Sequence, residues 1–417
     1  MKLKALYSLI ILAAFPMLIA CSNDNDNDFD GVQTEPTEET IPTLEISSKG
    51  RTAVDAANEM SFSLMESIAQ QSKDETNACI SPVSLIQLLT LMSNGADIEG
   101  LEAILTRFNL GNGDQQALSE LNELCKAFVT KLPKLDKNVT CSFSNSLWTA
   151  PQNTIKNSYS EVLNEYFKGV LINENPSGED GMLKINSFIN EKTNGLIPHF
   201  LKTPLDNGCA LALLNTIYFH GLWSAPFDTK DTRKNEFKNA TGLTSNVDYM
   251  CATGYIRNAE FNGQRMVNIP FGNETYSISF ILPSEGSTSF PTLAEWKALS
   301  QSLAESYIKL ELPKFDIEYI EDDMIKYLPE FSELTFPNIL SANTENKEIQ
   351  FNRIIHATRL SISEDGCEGA GASLGANWIL GIDSPQPTAI VFNRPFYFVI
   401  SEKSTNAILF MGQIQNL

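Results

Sequence analysis

The stretch from Glu364 to Asn393 constrains the fold of this chain more than any other. It opens Glu364-Asp365-Gly366-Cys367-Glu368 and continues with five small residues, Gly369-Ala370-Gly371-Ala372-Ser373. Leu374 to Ile382 carries no charge and no proline. Asp383-Ser384-Pro385-Gln386-Pro387 then interrupts regular structure before an apolar run near Ala389. Small residues bring little apolar surface, so the segment cannot anchor itself by burial. Glycines at 366, 369, 371, 375 and 381 raise the entropic cost of ordering it. A loop of this length inside a large domain signals function or disorder.

Read with a period of two, the segment acquires a face. Cys367, Gly369, Gly371, Ser373, Gly375 and Asn377 are uncharged and none is larger than asparagine. In a strand they would share one side, and that side could press on a filled core without overpacking it. The competing reading of the same composition is a flexible surface linker.

Neighbouring motifs separate the two. Phe392-Asn393-Arg394-Pro395-Phe396, Phe410-Met411-Gly412 and the Glu364–Ser373 pattern together resemble the serpin family. In that family the corresponding stretch, about 364–391, is an exposed reactive-centre loop. It is offered to a protease and, once cut, enters the largest sheet as a new strand.

The chain has 417 residues, of which 42% are hydrophobic, enough for a large core in one domain. Its formal charge of −21 argues against nucleic acid as a partner. Residues 1–20 read as an export signal: Lys2 and Lys4 precede an apolar run from Ala5 to Ile19, too short and wrongly flanked for a membrane span. Leu18-Ile19-Ala20-Cys21 resembles a bacterial lipobox, which makes Cys21 a lipidation site. Residues 21–48 follow as an acidic, solvated tether, and 49–417 as one folded domain. The address implied is the surface of the outer membrane of a Gram-negative bacterium, with the lipid as the only membrane contact. The other six cysteines show no metal-ligand spacing, and several lie in apolar runs as expected of buried thiols.

Along the body, Ala53 to Ile68 has helical spacing. Ser81 and Pro82 form a helix start, with serine as cap and proline in the first turn, and the helix runs from Val83 to Met92, ending at Asn94-Gly95. Ile185 to Phe200, including Thr193-Asn194-Gly195, resembles the helix that in the same family lies across the large sheet. Strands are expected at 143–149, 210–218, 247–250, 267–271, 276–282, 309–315 and 354–362. The run 210–218 is apolar on both faces yet holds Asn215, which needs partners.

Ser81-Pro82-Val83-Ser84, Phe219 to Phe227 and Leu312-Pro313-Lys314-Phe315 match the same family in the same order. The resemblance implies an α+β serpin fold with a large mixed central sheet, further sheets and about eight to nine helices. It puts Ser81, Ser84, Asn215 and His356 in the shutter, where hydrogen bonds close the gap between two central strands. Trp223 falls at the breach, where the hinge enters. The hinge itself is Glu364, Gly366, Cys367, Glu368, Gly369, Ala370, Gly371, Ala372 and Ser373, with Cys367 in place of the usual threonine or serine.

The function implied is covalent suicide inhibition of a protease by a monomer that needs no cofactor and no metal. Counting forward from the hinge places the scissile bond at Leu380–Gly381, with Trp378 and Ile382 as alternatives. Counting back from Phe392 gives Ser384–Pro385, where proline would block most proteases. Apolar residues here point to elastase-like or chymotrypsin-like serine proteases. A papain-like cysteine protease reading Ile379 and a non-inhibitory surface-binding lipoprotein are the alternatives. His199, His220 and His356 share no metal spacing, and no nucleophile–base pair signals an enzyme.

Overall fold

The computed structural model describes residues 41–71, 76–111, 114–209, 211–287, 289–321, 324–328, 334–340, 355–367 and 386–417. Helix α1 spans Ser48–Gln71, α2 Pro82–Ser93, α3 Ile98–Arg107, α4 Gln115–Thr130, α5 Asn157–Phe167, α6 Gly178–Lys192 and α7 Leu293–Gln301. These seven α-helices and three 3-10 turns are those among the described residues.

Two sheets organise the strands. The nine-stranded sheet runs β1 (Ala78–Ile80), β15 (Ile408–Ile414), β14 (Phe396–Glu402), β8 (Tyr276–Leu282), β7 (Gln264–Phe271), β6 (Thr244–Phe261), β9 (Ala304–Pro313) and β13 (Thr388–Val391), with β5 (Arg233–Lys238) also paired to β6. The six-stranded sheet runs β10 (Phe315–Glu321), β11 (His356–Ser363), β12 (Gly366–Cys367), β4 (Leu211–Leu222), β2 (Val139–Thr149) and β3 (Val170–Ile172). Most pairings are antiparallel, while β3 on β2 and β13 on β9 are parallel, so both sheets are mixed.

Helix α2 explains itself from sequence. Ser81 Oγ accepts from the Ser84 N–H at 3.3 Å, Pro82 occupies the first turn, and every residue but Leu88 is buried. A helix apolar all round belongs in the centre, and α2 packs against α1, α4, β4 and β15.

Strand β4 is covered on both faces, as its continuous apolar run requires. Ala212 and Leu214 enter a satellite cluster with Trp148, Ile185 and Ile189 beneath α6. Leu211, Ile217 and Phe219 point to the main core.

Two expectations need correction. The helix across the sheet ends at Lys192 rather than Phe200. Asn194 and Gly195 both take positive φ, 50° and 85°, and the Thr193 hydroxyl donates to the Ile189 carbonyl, which closes the helix. The expected strand 309–315 is two strands, β9 and β10, parted at Lys314. There the backbone turns away to donate its N–H to the Asp248 carbonyl at 2.8 Å.

Candidate functional site

The first residues of the proposed hinge form a tight hairpin. Strand β11 ends at Ser363, Glu364 and Asp365 make the turn, and β12 returns antiparallel, pairing Ser363 with Gly366 and Ile362 with Cys367. On its other edge β12 pairs with β4, Gly366 opposite Leu222 and Cys367 opposite Gly221. Among the described residues, strand pairing between β11 and β4 therefore runs only through the two residues of β12.

Gly366 has φ +147°, and a Cβ there would meet the Gly221 carbonyl oxygen at 2.1 Å, so no other residue fits this approach. Cys367 is 1% exposed and belongs to the main core with Ile362. The inward face of the period-two pattern thus begins on the core side of the sheet.

Trp223 holds this mouth. Its indole N–H donates to the Ser363 carbonyl at 2.9 Å, and its backbone N–H donates to the Asp365 carbonyl at 3.1 Å. Its ring stacks on Phe271, centroids 4.6 Å apart and 9° from parallel.

Glu364 is pinned as well: Lys314 Nζ lies 2.8 Å from its carboxylate and the Thr232 hydroxyl donates to it at 2.7 Å. Burial opposes ionisation of Glu364. The bonds from Lys314 and Thr232 outweigh it and hold the carboxyl below the usual carboxylate range.

Lower in the sheet, the four residues assigned to the shutter fall into two groups. The Ser81 backbone N–H donates to His356 Nε2 at 2.9 Å, and the Ser81 hydroxyl caps α2 through Ser84. Burial pushes the His356 imidazolium pKa down to about 4, opposed weakly by Glu321. Asn215 belongs to the second group. It donates to Asn145 Oδ1 at 2.7 Å and to Gln87 Oε1 at 3.3 Å, and Asn145 donates in turn to Gln87 Oε1 at 2.9 Å.

Gln87 and Asn145 were not singled out from sequence. The available signal was a lone amide inside the mostly apolar helix Val83 to Met92, whose other polar residues are the small hydroxyls Ser84 and Thr90. Counting down from the β12 pairings, His356 on β11 lies level with Asn215 on β4. The two groups therefore flank the same point between those strands.

Glu368, Gly369, Ala370, Gly371, Ala372, Ser373, Trp378, Leu380, Gly381, Ile382 and Cys21 lie outside the described residues. Among the described residues no three His, Cys, Asp or Glu side chains are grouped as a metal would require, and no helix is long and apolar enough to cross a membrane.

A mixed sheet bridged at one end by a two-residue strand, fed by a hairpin and backed by a buried helix, places the chain in the α+β class. The family model described as serpin (serine protease inhibitor) matches residues 55–417. The chain belongs to the serpin family.

Iripin-4 of Ixodes ricinus is 28% identical over 373 residues, covering 87% of this chain and 94% of that protein. Serpin-Z7 of Hordeum vulgare is 27% identical over 366 residues, covering 82% of this chain and 90% of that protein. The native thermophilic serpin tengpin superposes with a TM-score of 0.75 at 22% identity, covering 90% of this chain and 96% of its own.

Proposed function

We propose that this protein inhibits serine proteases by a covalent, loop-inserting mechanism. The observation that carries the reading is β12: two residues of the hinge occupy the space between β4 and β11, aimed down it. If the register continues, Ser373 arrives level with Asn215 and His356, and Asn377 reaches Leu211, where β4 ends. Only Trp378, Ile379 and Leu380 then remain before a cut at Leu380–Gly381. A cut after Ser384 would leave seven residues as slack. Strand length therefore favours Leu380 over Ser384.

In this mechanism Ser81, Ser84, Asn215 and His356 hold the sheet closed, and Trp223 guides entry. The protease nucleophile attacks the Leu380 carbonyl, the Leu380–Gly381 peptide bond breaks, Gly381 takes up a proton and leaves as a free amine, and Leu380 stays on the protease as an acyl-enzyme. Release of the loop lets residues 368–377 join the sheet. About ten residues making new ladder bonds, each worth roughly 0.5–1.5 kcal/mol net, contribute on the order of 10 kcal/mol. The acylated protease is dragged along. Displacement of catalytic groups by about 1 Å costs on the order of a hundredfold in rate, so deacylation stalls.

Elastase-like or chymotrypsin-like enzymes suit the apolar residues around Leu380. The signal 1–20, lipidated Cys21 and the acidic tether would hold the domain at the outer surface of the cell; the tether is shorter than 21–48, because Leu44 is 1% exposed in the main core and the helix α1 starts at Ser48. Loss of palmitate labelling in Cys21→Ser tests that anchor, and unchanged labelling contradicts it.

Incubation with an elastase-like protease tests the mechanism itself. A covalent band surviving a denaturing gel is expected. Cleavage of the protein with no such band contradicts the reading.

A further inference from the structure

Asp136 lies between the 3-10 turn Leu132–Lys134 and β2 and is 3% exposed. It belongs to neither the hinge nor the shutter. Both carboxylate oxygens are held by backbone N–H groups: Oδ1 accepts from Asn138 at 2.8 Å and Oδ2 from Asn273 at 2.6 Å. Asn273 returns the contact through its side chain, which donates to the Leu135 carbonyl at 2.9 Å. Gly272 makes this clasp possible. Its φ is +45°, and a Cβ there would run into the carboxylate. Hydrogen bonds to a carboxylate are about twice as strong as neutral ones, so Asp136 braces the turn that joins β7 to β8.

That turn follows Phe271, the last residue of β7, on which Trp223 stacks. Backbone bonds tie the two together on either side. The Leu222 N–H donates to the Asn138 carbonyl at 3.1 Å, the Gly272 N–H to the Leu222 carbonyl at 2.9 Å, and the Ser224 N–H to the Pro270 carbonyl at 3.0 Å. The Ser224 hydroxyl closes back on the Gly272 carbonyl at 2.8 Å. Trp223 is thus bracketed by two residues fixed to the braced turn. Its own two N–H groups reach the Ser363 and Asp365 carbonyls of the hinge. The path from Asp136 to the hinge therefore runs through one glycine and two stacked rings.

We infer that Asp136 is a positioning residue for loop entry: it holds Phe271 in the plane against which Trp223 stacks, and so keeps the uncut hinge from advancing between β4 and β11. The inference rests on the inhibitory reading above. In Asp136→Asn one acceptor becomes an amide NH2 group facing a backbone N–H, two donors with nothing between them. The 272–273 turn shifts to separate them, and the Phe271 ring moves with it. Trp223 then loses its platform, and its bonds to the hinge lose alignment. The way into the sheet opens without a cut.

The test follows stored, uncut protein by the fraction that still forms a covalent band with an elastase-like protease. Asp136→Asn loses this capacity about tenfold faster than the parent, the scale of one charge-assisted bond lost on the way to the barrier. Its product is uncut and monomeric and melts above the active form, as a loop added to the sheet requires. Phe271→Leu decays as fast as Asp136→Asn, and the double variant decays no faster than either, because residues acting through one contact do not add. Asp97→Asn, which weakens the cap of α3 at Gly100 rather than this turn, keeps the parental rate. Asn273→Ala loosens the same turn while keeping the carboxylate, so it also decays faster and serves if Asp136→Asn does not fold.

Parental decay in Asp136→Asn, or in Asn273→Ala where that variant stands in, overturns the positioning role and leaves the inhibitory mechanism intact. So does decay into unfolded or aggregated material, which marks a merely weakened fold, and so does a double variant in which the two rate effects multiply. Absence of any covalent band for the fresh parent overturns the inhibitory reading and this inference with it.

Discussion

The Ser81 backbone N–H donates to Nε2 of His356 across 2.9 Å, joining the start of the central helix to the strand that feeds the hinge. An acceptor at Nε2 requires a neutral imidazole with its proton on Nδ1. Protonation of His356 removes that acceptor and puts a charge in a buried site.

This sets a pH dependence. His356 has its pKa lowered to about 4 in the fold, from about 6.5 when unfolded. Between those values the unfolded chain binds the extra proton, so stability falls as pH drops from about 6.5 to about 4 and is unaffected by this group above 6.5. The full effect is about 3 kcal/mol. Denaturant midpoints across that window fall more steeply for the parent than for His356→Gln. Parallel lines for the two would contradict the role of this bond.

The amide cluster makes a second prediction. Gln87 Oε1 accepts from both Asn145 and Asn215; Asn145 also donates to the Phe167 carbonyl, and Asn215 also donates to Asn145 Oδ1. Gln87→Leu removes the shared acceptor with little change in volume. A loss of about 1–3 kcal/mol is expected in equilibrium unfolding, from the buried Asn145 and the half-buried Asn215 each losing an acceptor. An unchanged midpoint would show that the cluster does not brace β2 and β4 against α2.

These two groups show what the sequence made legible. Ser81-Pro82 announced the helix, its cap and its central place, because capping is local chemistry. The period-two face through Cys367 could be read because strand geometry alternates strictly, and Cys367 does point to the core. Gln87 and Asn145 were not found, since their partners lie 58 to 128 residues away in sequence and only the fold brings them together. Resemblance gives Ile185 to Phe200 as one helix, but α6 ends at Lys192, and Ile197 and Phe200 join the same cluster as Ile185 and Ile189 from outside it. Hydrophobic spacing alone does not distinguish a helix from the packed turn that follows it.

The hinge turn carries a third prediction. Glu364 bonds to Lys314 at 2.8 Å and to Thr232 at 2.7 Å. Glu364→Lys replaces the attraction with repulsion at a mostly buried position, at a cost of about 1–3 kcal/mol. The variant should unfold at lower denaturant and lose inhibitory capacity on storage faster than the parent. Equal shelf life and equal midpoint would mean that the turn is held by Trp223 alone.

Gly371 tests the inward face. It shares the parity of Cys367, so a long charged side chain there must be buried as the strand enters. Gly371→Arg should be cleaved at the same bond as the parent while releasing active protease, so that the stoichiometry of inhibition rises severalfold. Parental stoichiometry would mean that the loop does not enter with this face inward.

Thermal unfolding of intact protein beside protein cut at Leu380–Gly381 tests most directly the proposal that the intact fold stores free energy. The cut form should melt far above the intact form, since residues 368–377 then complete the six-stranded sheet. Superimposable melting curves for the two would contradict loop insertion as the source of inhibition.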